Sequence, residues 1–155
     1  FQNKYKRLLS VIESQYEEKH VMRNKMNKRL DKQYFQEKIA QIFSESEIRF
    51  AGFIDTEGKM IIGKFRHDVI PFEADDEQKK IFRELAVRVA TRVKFDKSMG
   101  RVKYSASRRE KLVMMSFPVK EVILLITAEP NVNIDRLAFR IIQTLGKEWS
   151  EFFGQ

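Results

Sequence analysis

The sequence predicts an α+β fold, in which a five-stranded antiparallel sheet is flanked by helices and preceded by a long helical arm. Apolar segments between residues 37 and 153 follow the order helix, two strands, helix, three strands and helix. Before them, residues 4–43 contain no Pro or Gly and are rich in helix-forming residues. A chain of 155 residues is long enough for one domain with an appendage. We therefore expect a basic helical arm over residues 1–36 and an α+β domain over residues 37–155.

The composition excludes several classes of protein. Without any Cys, the chain cannot form disulfides, a thiolate nucleophile or a cysteine-ligated metal site, and a cytoplasmic location is expected. Its longest purely apolar run, Val122–Ile126, is far below the roughly 20 residues of a membrane-spanning helix. The net charge of +8 favours anionic partners. Of that charge, +5 falls in residues 1–38.

The arm carries one apolar stripe. Tyr5, Leu9, Ile12 and Tyr16 recur at spacings of four, three and four, which places them on one face of a helix. Such a stripe needs a partner, and a second copy, another protein or a charged surface are the candidates. These four residues are therefore the predicted partner-binding site. Beyond them the apolar pattern weakens, and a break is expected near residues 24–27.

The domain begins with a short helix at the end of the arm, followed by a predicted hairpin. Apolar residues 48–54 and 59–65 flank a turn in which Gly58 supplies a positive φ and Asp55 a hydrogen-bond acceptor. The paired acids Asp55 and Glu57 also suggest a calcium loop, but the further ligands at alternate positions and the closing Glu are absent. We interpret the segment as a turn.

A second helix is predicted from Asp75 to about Lys97, with Gly100 as its end. Three consecutive acids in its first turn match the helix dipole better than they match a metal cluster, because neighbouring helical side chains point in different directions. The expected buried stripe of this helix comprises Ile81, Phe82, Leu85, Ala86, Val89 and Val93.

Three strands and a closing helix complete the predicted domain. The strands are expected at residues 102–107, 111–119 and 121–129, with the last two at the centre of the sheet. Asn133 is the expected N-cap of the final helix, and Gly146 its end or a kink followed by a further turn.

The segment Phe50-Ala51-Gly52-Phe53-Ile54-Asp55-Thr56-Glu57-Gly58-Lys59-Met60-Ile61 is similar to the first hairpin of roadblock/light-chain proteins, and the later order of elements agrees. This resemblance covers roughly residues 37–149, and the profilin and longin folds share much of the layout. Residues 100–107 and 113–118 also resemble a group of uncharacterised archaeal domains. The roadblock resemblance implies a homodimeric regulator or scaffold for small GTPases or for assembly on a membrane surface, without catalytic side chains. The long basic arm departs from that pattern.

The sequence shows no catalytic or metal-binding signature. His20 and His67 have no partner at the spacing of a metalloprotease helix, and Ser105, Ser107 and Ser116 lack a Gly-x-Ser-x-Gly elbow. A phosphate-binding loop and a dinucleotide fingerprint are also absent. We therefore expect a non-enzyme that needs no cofactor or metal.

A second candidate site is a basic face. If the second helix and the third strand adjoin, their cations form one surface that attracts phosphate, and Tyr104 beside them is placed to stack a base. We prefer two alternatives: the cations form a solvated face balanced by acids, and Tyr104 has a packing role. The candidate anion-binding residues are Arg83, Arg88, Arg92, Arg101, Lys103, Arg108 and Arg109.

Two functional hypotheses follow. The first is a noncatalytic interaction module that forms a homodimer and binds an unknown protein, for which the resemblance suggests a small GTPase or a membrane-associated complex. The second is an anion-binding module that holds an acidic membrane or, less favoured, nucleic acid through the arm and the basic face. A small ligand beneath the sheet is a third hypothesis, for which the sequence marks no residue.

Overall fold

The computed structural model describes residues 2–119 and 121–146, apart from the side chains of residues 22–31 and 119. The chain divides into two units, Phe1–Tyr34 and Phe35–Gln155. Their helices and strands are α1 (Gln2–Ile42), β1 (Ile48–Asp55), β2 (Met60–Phe65), α2 (Asp75–Arg92), α3 (Asp96–Met99), β3 (Ser105–Arg108), β4 (Val113–Val119), β5 (Val122–Ala128) and α4 (Ile134–Leu145). The predicted α+β fold with five antiparallel strands and a long N-terminal helix is confirmed.

Helix α1 is continuous, so the break predicted near residues 24–27 is wrong. Each Asn in that stretch costs less than about 0.7 kcal/mol relative to Ala in a helix, which the surrounding helix formers offset. The predicted end of the second helix also needs correction. Helix α2 ends at Arg92, and a single 3-10 turn, Val93–Phe95, connects it to the short α3 before Gly100.

The strands run in the order β2-β1-β5-β4-β3, with every neighbouring pair antiparallel. The centre is therefore β5 with β1 and β4 on either side, whereas β4 and β5 were expected to share it. Strand β1 is also central because nearly all of its side chains are buried. The third strand begins at Ser105, three residues later than predicted, and ends at Arg108.

One face of the sheet, here called the closed face, is covered by the end of α1 and by α4. Leu124 in β5 pairs with both Phe53 in β1 and Phe117 in β4, and all three side chains are fully buried there. Ile42 and Ile141 pack against the same cluster from the two helices. Because each residue fills space between a strand and a helix, this cluster is the main hydrophobic core.

Polar contacts fasten α4 to the segment that follows α1. Arg136 pairs with Glu47 at 2.9 Å, and Arg140 pairs with Glu45 at 3.1 Å. At the start of α4, the Asn133 side chain accepts a hydrogen bond from the backbone N–H of Arg136, which confirms the predicted N-cap. At its end, Gly146 has a φ of +83°, and the further turn predicted beyond it lies outside the described residues.

The opposite face, here called the open face, carries α2. Phe82, Leu85 and Ala86 are buried against residues of β1 and β5, among them Phe50 and Leu125. Val93, predicted to belong to the buried stripe, is 56% exposed because α2 has ended at the preceding residue. Helix α2 therefore contacts the β1 and β5 half of this face.

The β1–β2 turn also lies against α2. The Asp55 carboxylate accepts hydrogen bonds from the backbone N–H groups of Glu57 and Lys59, both at 2.9 Å, which confirms the turn interpretation over a calcium loop. Gly58 has a φ of +86°, and a Cβ there would lie 2.7 Å from the Arg83 Cα. Two separate constraints, the backbone conformation and the close approach to α2, therefore require glycine at this position.

Arg66, just after β2, binds two segments that are distant from it in sequence. Its guanidinium donates to the backbone carbonyls of Ser46 and Ile48 and to the Glu129 carboxylate at 3.0 Å. It also pairs with Asp68 at 2.5 Å, which raises the pKa of Arg66 and lowers that of Asp68. The end of the sheet nearest α1 is thereby held by one side chain.

Candidate functional site

The open face carries a groove where α2 leaves the sheet uncovered. On this face Ser105 of β3 lies opposite Ser116 of β4, and Ser107 lies opposite Met114. These short or flexible side chains do not reach far from the sheet, so space remains between α2 and the β4–β3 half. We call this space the α2 groove.

The α2 groove has two parts. The larger is a cavity of about 660 Å³ between the β2–α2 loop, α2 and the β3–β4 turn, with Phe72, Ile81 and Met114 among its apolar walls. The smaller, about 290 Å³, lies between the end of α2 and the start of β3 and is lined by Val89 and Val102. The dimensions suit apolar side chains or a small ligand.

Several charged residues of the groove contact neighbours, although the buried Arg88 Nε has no hydrogen-bond partner. Arg92 donates a hydrogen bond to the Ser105 hydroxyl at 2.5 Å, which joins α2 to β3. Arg88 pairs with Glu84 at 3.3 Å, one helical turn away. At the other end, the Phe72 ring lies 4.5 Å from the Arg49 guanidinium. The rim therefore presents mixed and partly neutralised charge.

The predicted anion-binding residues occupy three places. Arg88, Arg92, Arg101 and Arg109 line the α2 groove. Of the other three, Arg83 and Lys103 lie elsewhere on the surface, and Arg108 borders the groove but already binds backbone carbonyls.

Arg83 is exposed on α2 where the β1–β2 turn approaches it, and Lys103 is exposed before β3. Arg108 borders the larger cavity, but its guanidinium donates to the backbone carbonyls of Pro130 and of Val132, the latter at 2.8 Å. The helix and the strand do adjoin as the prediction required, yet the seven cations do not form one surface.

Tyr104 lies on the closed face, away from the groove. Its ring stacks on Phe117 with 5.9 Å between centroids, and its hydroxyl donates to the Asp135 carboxylate at 2.9 Å. The hydrogen bond to Asp135 and partial burial raise the pKa of Tyr104. The geometry therefore supports a packing role for Tyr104 and does not support base stacking.

Sequence reasoning missed a set of exposed apolar side chains on the segment from α2 to α3, here called the α2–α3 row. Large apolar side chains that are more than half exposed recur there between residues 87 and 99: Val87, Val93, Phe95 and Met99. Helix α4, by comparison, exposes Phe139. The signal was present in the sequence, since Val87, Phe95 and Met99 lie outside the predicted buried stripe. Four exposed apolar side chains within 13 residues make this segment a candidate interaction surface.

The arm presents the predicted stripe to solvent. Tyr5, Leu9, Ile12 and Tyr16 are 67%, 43%, 54% and 72% exposed, and the neighbouring Leu8 is 61% exposed. Within its own unit the stripe has no apolar partner among the described side chains. The two candidate interaction surfaces are thus this stripe and the α2–α3 row.

The described residues hold neither a metal-ion cluster nor a membrane-spanning helix. Their His, Asp and Glu side chains form no group of three that would hold a metal ion. Within the described residues, 2–119 and 121–146, no helix is both long and apolar enough to cross a membrane.

Comparison with known proteins gives a family and a fold. The family of unknown function DUF6659 matches residues 26–155, so the chain belongs to it. No protein of curated function matches the chain.

Three similar solved structures share the fold. An MglB described with a tetrameric arrangement has a TM-score of 0.61 and 13% identity, over 77% of this chain and 90% of that one. The gliding protein MglB from Thermus thermophilus has a TM-score of 0.59 and 12% identity, over 76% and 86%. A Roadblock/LC7 domain from Streptomyces avermitilis has a TM-score of 0.54 and 7% identity, over 70% and 88%. The predicted roadblock resemblance is confirmed for the fold, and the archaeal one stays a prediction.

Proposed function

We propose that this member of the DUF6659 family is a noncatalytic interaction module that forms a homodimer through strand β3 and the exposed side of α2. The observation that carries the proposal is the exposed apolar row between residues 87 and 99, in a segment that Arg92 ties to the edge strand β3. Burying such a row in a partner releases about 25 cal/mol for each Å² of apolar surface.

Strand β3 is suited to pairing with a second copy. It lies at the end of the sheet, its residues Ser105, Ala106 and Ser107 include no Lys or Pro, and its last residue, Arg108, donates to the carbonyls of Pro130 and Val132. Edges that must stay single usually carry Lys or Pro, because unpaired backbone groups otherwise template a further strand. Strand β2, at the opposite edge, carries Lys64. Strand β3 is therefore the edge better suited to pairing with a second copy, as the proposal requires.

A dimer of this kind leaves room for a third protein. The larger cavity of the α2 groove lies toward the β3–β4 turn, and its mixed charge fits a protein surface better than a polyanion. The roadblock resemblance suggests a small GTPase or a membrane-associated complex as that partner. The tetrameric arrangement recorded for one structural relative supports self-association as a use of this fold.

The anion-binding hypothesis has weaker support. Arg88 and Arg92 each contact a neighbouring side chain, and Arg108 contacts backbone carbonyls. An anion at the groove would have to compete with these contacts, whereas a protein partner leaves them in place. The support that remains for that hypothesis is the +5 charge of residues 1–38, together with other groove cations such as Arg109.

The test is Val87→Asp, with Phe139→Asp on α4 as the matched control. Both side chains are exposed, at 65% and 62%, so both variants should fold. We expect light scattering to give a dimer for the unchanged chain and the control, and a dimer at least about tenfold weaker for Val87→Asp.

Amide hydrogen exchange supplies the readout specific to the proposed edge. Backbone amides of residues 105–108 should be protected at high protein concentration in the unchanged chain and lose that protection in Val87→Asp. If Val87→Asp keeps both the dimer and the protection, the proposed interface is wrong.

A further inference from the structure

The charge pattern of the arm is as informative as its apolar stripe. Within residues 2–18 the basic residues come first, as Lys4, Lys6 and Arg7, and the acidic ones follow, as Glu13, Glu17 and Glu18. That part of α1 is therefore neutral in sum but charged oppositely at its two ends. The whole +5 excess of the arm falls in residues 19–38.

The apolar stripe has the same two-ended symmetry. Its spacing of four, three and four is that of the seam of a coiled coil, and it reads identically in both directions. If two copies lie antiparallel with Leu9 facing Ile12 of the second copy, then Tyr5 faces Tyr16. Leucine thus meets isoleucine, and tyrosine meets tyrosine, about a twofold axis between residues 10 and 11. The exposed Leu8 lies beside this seam and widens it.

Charge selects this orientation over the parallel one. In the antiparallel pair Lys6 of one copy lies one turn or less from Glu13 of the other, on the same side of the seam. Parallel copies would instead set like charges beside each other and run the two basic segments of residues 19–38 side by side. Opposed helix dipoles favour the antiparallel pair as well.

We propose that the N-terminal part of α1 binds the same segment of a second copy of this chain as an antiparallel two-helix pair centred between residues 10 and 11. This association is separate from the dimer through β3 and α2, since it uses the other unit of the chain. A chain with both interfaces links dimers into larger assemblies, and the paired arms direct their basic segments to opposite ends.

The test uses disulfide trapping in the full chain, which has no Cys of its own. Tyr5→Cys and Tyr16→Cys chains, one carrying a tag that changes its mass, are oxidised separately and as a mixture. The antiparallel register brings residue 5 against residue 16, whereas residue 5 lies about 16 Å along the axis from residue 5 of the second copy. A disulfide needs Cα atoms within about 7 Å.

We expect the mixture to give the mixed disulfide and each variant alone to give at least about tenfold less product. Efficient self-linking of Tyr5→Cys alone would show a parallel pair and overturn the proposal. Absence of any product at about 100 µM protein would overturn it too, and would direct attention to a foreign partner or an acidic membrane for the stripe.

Charge reversal supplies a second, independent readout. Lys6→Glu and Glu13→Lys, each introduced into both trapping chains, should lower the mixed-disulfide yield about fivefold, because each creates two like-charge contacts in the symmetric pair. The double variant restores opposite charges and should recover the yield to within about twofold. A double variant no better than the singles would contradict the register.

The trapping result is distinguishable from that of the proposed function. Val87→Asp should leave the mixed-disulfide yield unchanged, because Val87 lies in α2 and not in the arm. Loss of the disulfide in Val87→Asp would mean that the arms meet only through the domain dimer, and would overturn an independent arm interface.

Discussion

The two faces of the sheet are built differently although they share the same strands. The closed face is filled by side chains from α1, α4 and four strands, and its largest members, such as Phe53 and Phe117, are fully buried. The open face has a smaller cluster around Phe82, and its β4–β3 half borders the α2 groove. The difference separates two tasks, because the closed face stabilises the domain and the open face retains surface for contact.

The largest expected effect comes from a cavity in the closed face. Phe53→Ala should lower the free energy of unfolding by about 4 kcal/mol, because the side chain is fully buried and stacks on Phe35 at 4.4 Å. Phe82→Ala on the open face should cost at least about 1 kcal/mol less, since the adjoining groove lets its surroundings relax. Urea unfolding measures both. Equal costs would break the distinction between the faces.

The second effect concerns the attachment of α2 to the open face. Gly58→Ala should destabilise the domain by about 2–4 kcal/mol, because both its positive φ and its contact with the Arg83 backbone forbid a Cβ. Urea unfolding measures the loss. A loss below about 1 kcal/mol would show that neither the positive φ nor the close approach to α2 constrains this position.

A smaller effect is expected at the rim of the closed face, with a pH dependence. Tyr104→Phe should cost about 0.5–1 kcal/mol at pH 7 through loss of the hydrogen bond to Asp135. Because the folded-state pKa of Tyr104 is raised above its ordinary value near 10, this contribution is complete below pH 10 and disappears as pH rises through the folded-state pKa.

Urea midpoints of the two chains should therefore differ at pH 7 and converge above pH 10. A difference that persists undiminished at high pH would assign the effect to ring packing against Phe117 rather than to the hydroxyl.

The smallest effect on stability should come from the exposed row. Val87→Ser should change the unfolding free energy of the monomeric domain by less than about 0.5 kcal/mol, because the side chain is 65% exposed. It should nevertheless weaken self-association measured by light scattering. A large loss of monomer stability would show that the open face also serves the core.

Local patterns predicted the elements well where one residue type has one physical role. Asn133 is an N-cap because its side chain accepts from the helix start, and Gly58 marks the turn because φ is positive there. Both roles depend on neighbours in sequence, so a single sequence reveals them.

Features that depend on tertiary distance were less accessible. The position of β1 beside β5 depends on pairing across some 70 residues, and the uncovered β4–β3 half depends on where α2 crosses the sheet. Arg108 appeared to belong to a basic face because its sequence neighbours are basic, yet its partners are carbonyls more than 20 residues away. Charge patterns do not disclose such partners.

Arg66 has a kinetic consequence. Its bonds connect residues 18 to 63 positions apart in the chain, so they form only after several long loops have closed. Interactions that arise late in folding contribute little to the rate of folding and mostly slow unfolding. We therefore expect this guanidinium at the end of the sheet to slow unfolding more than it speeds folding.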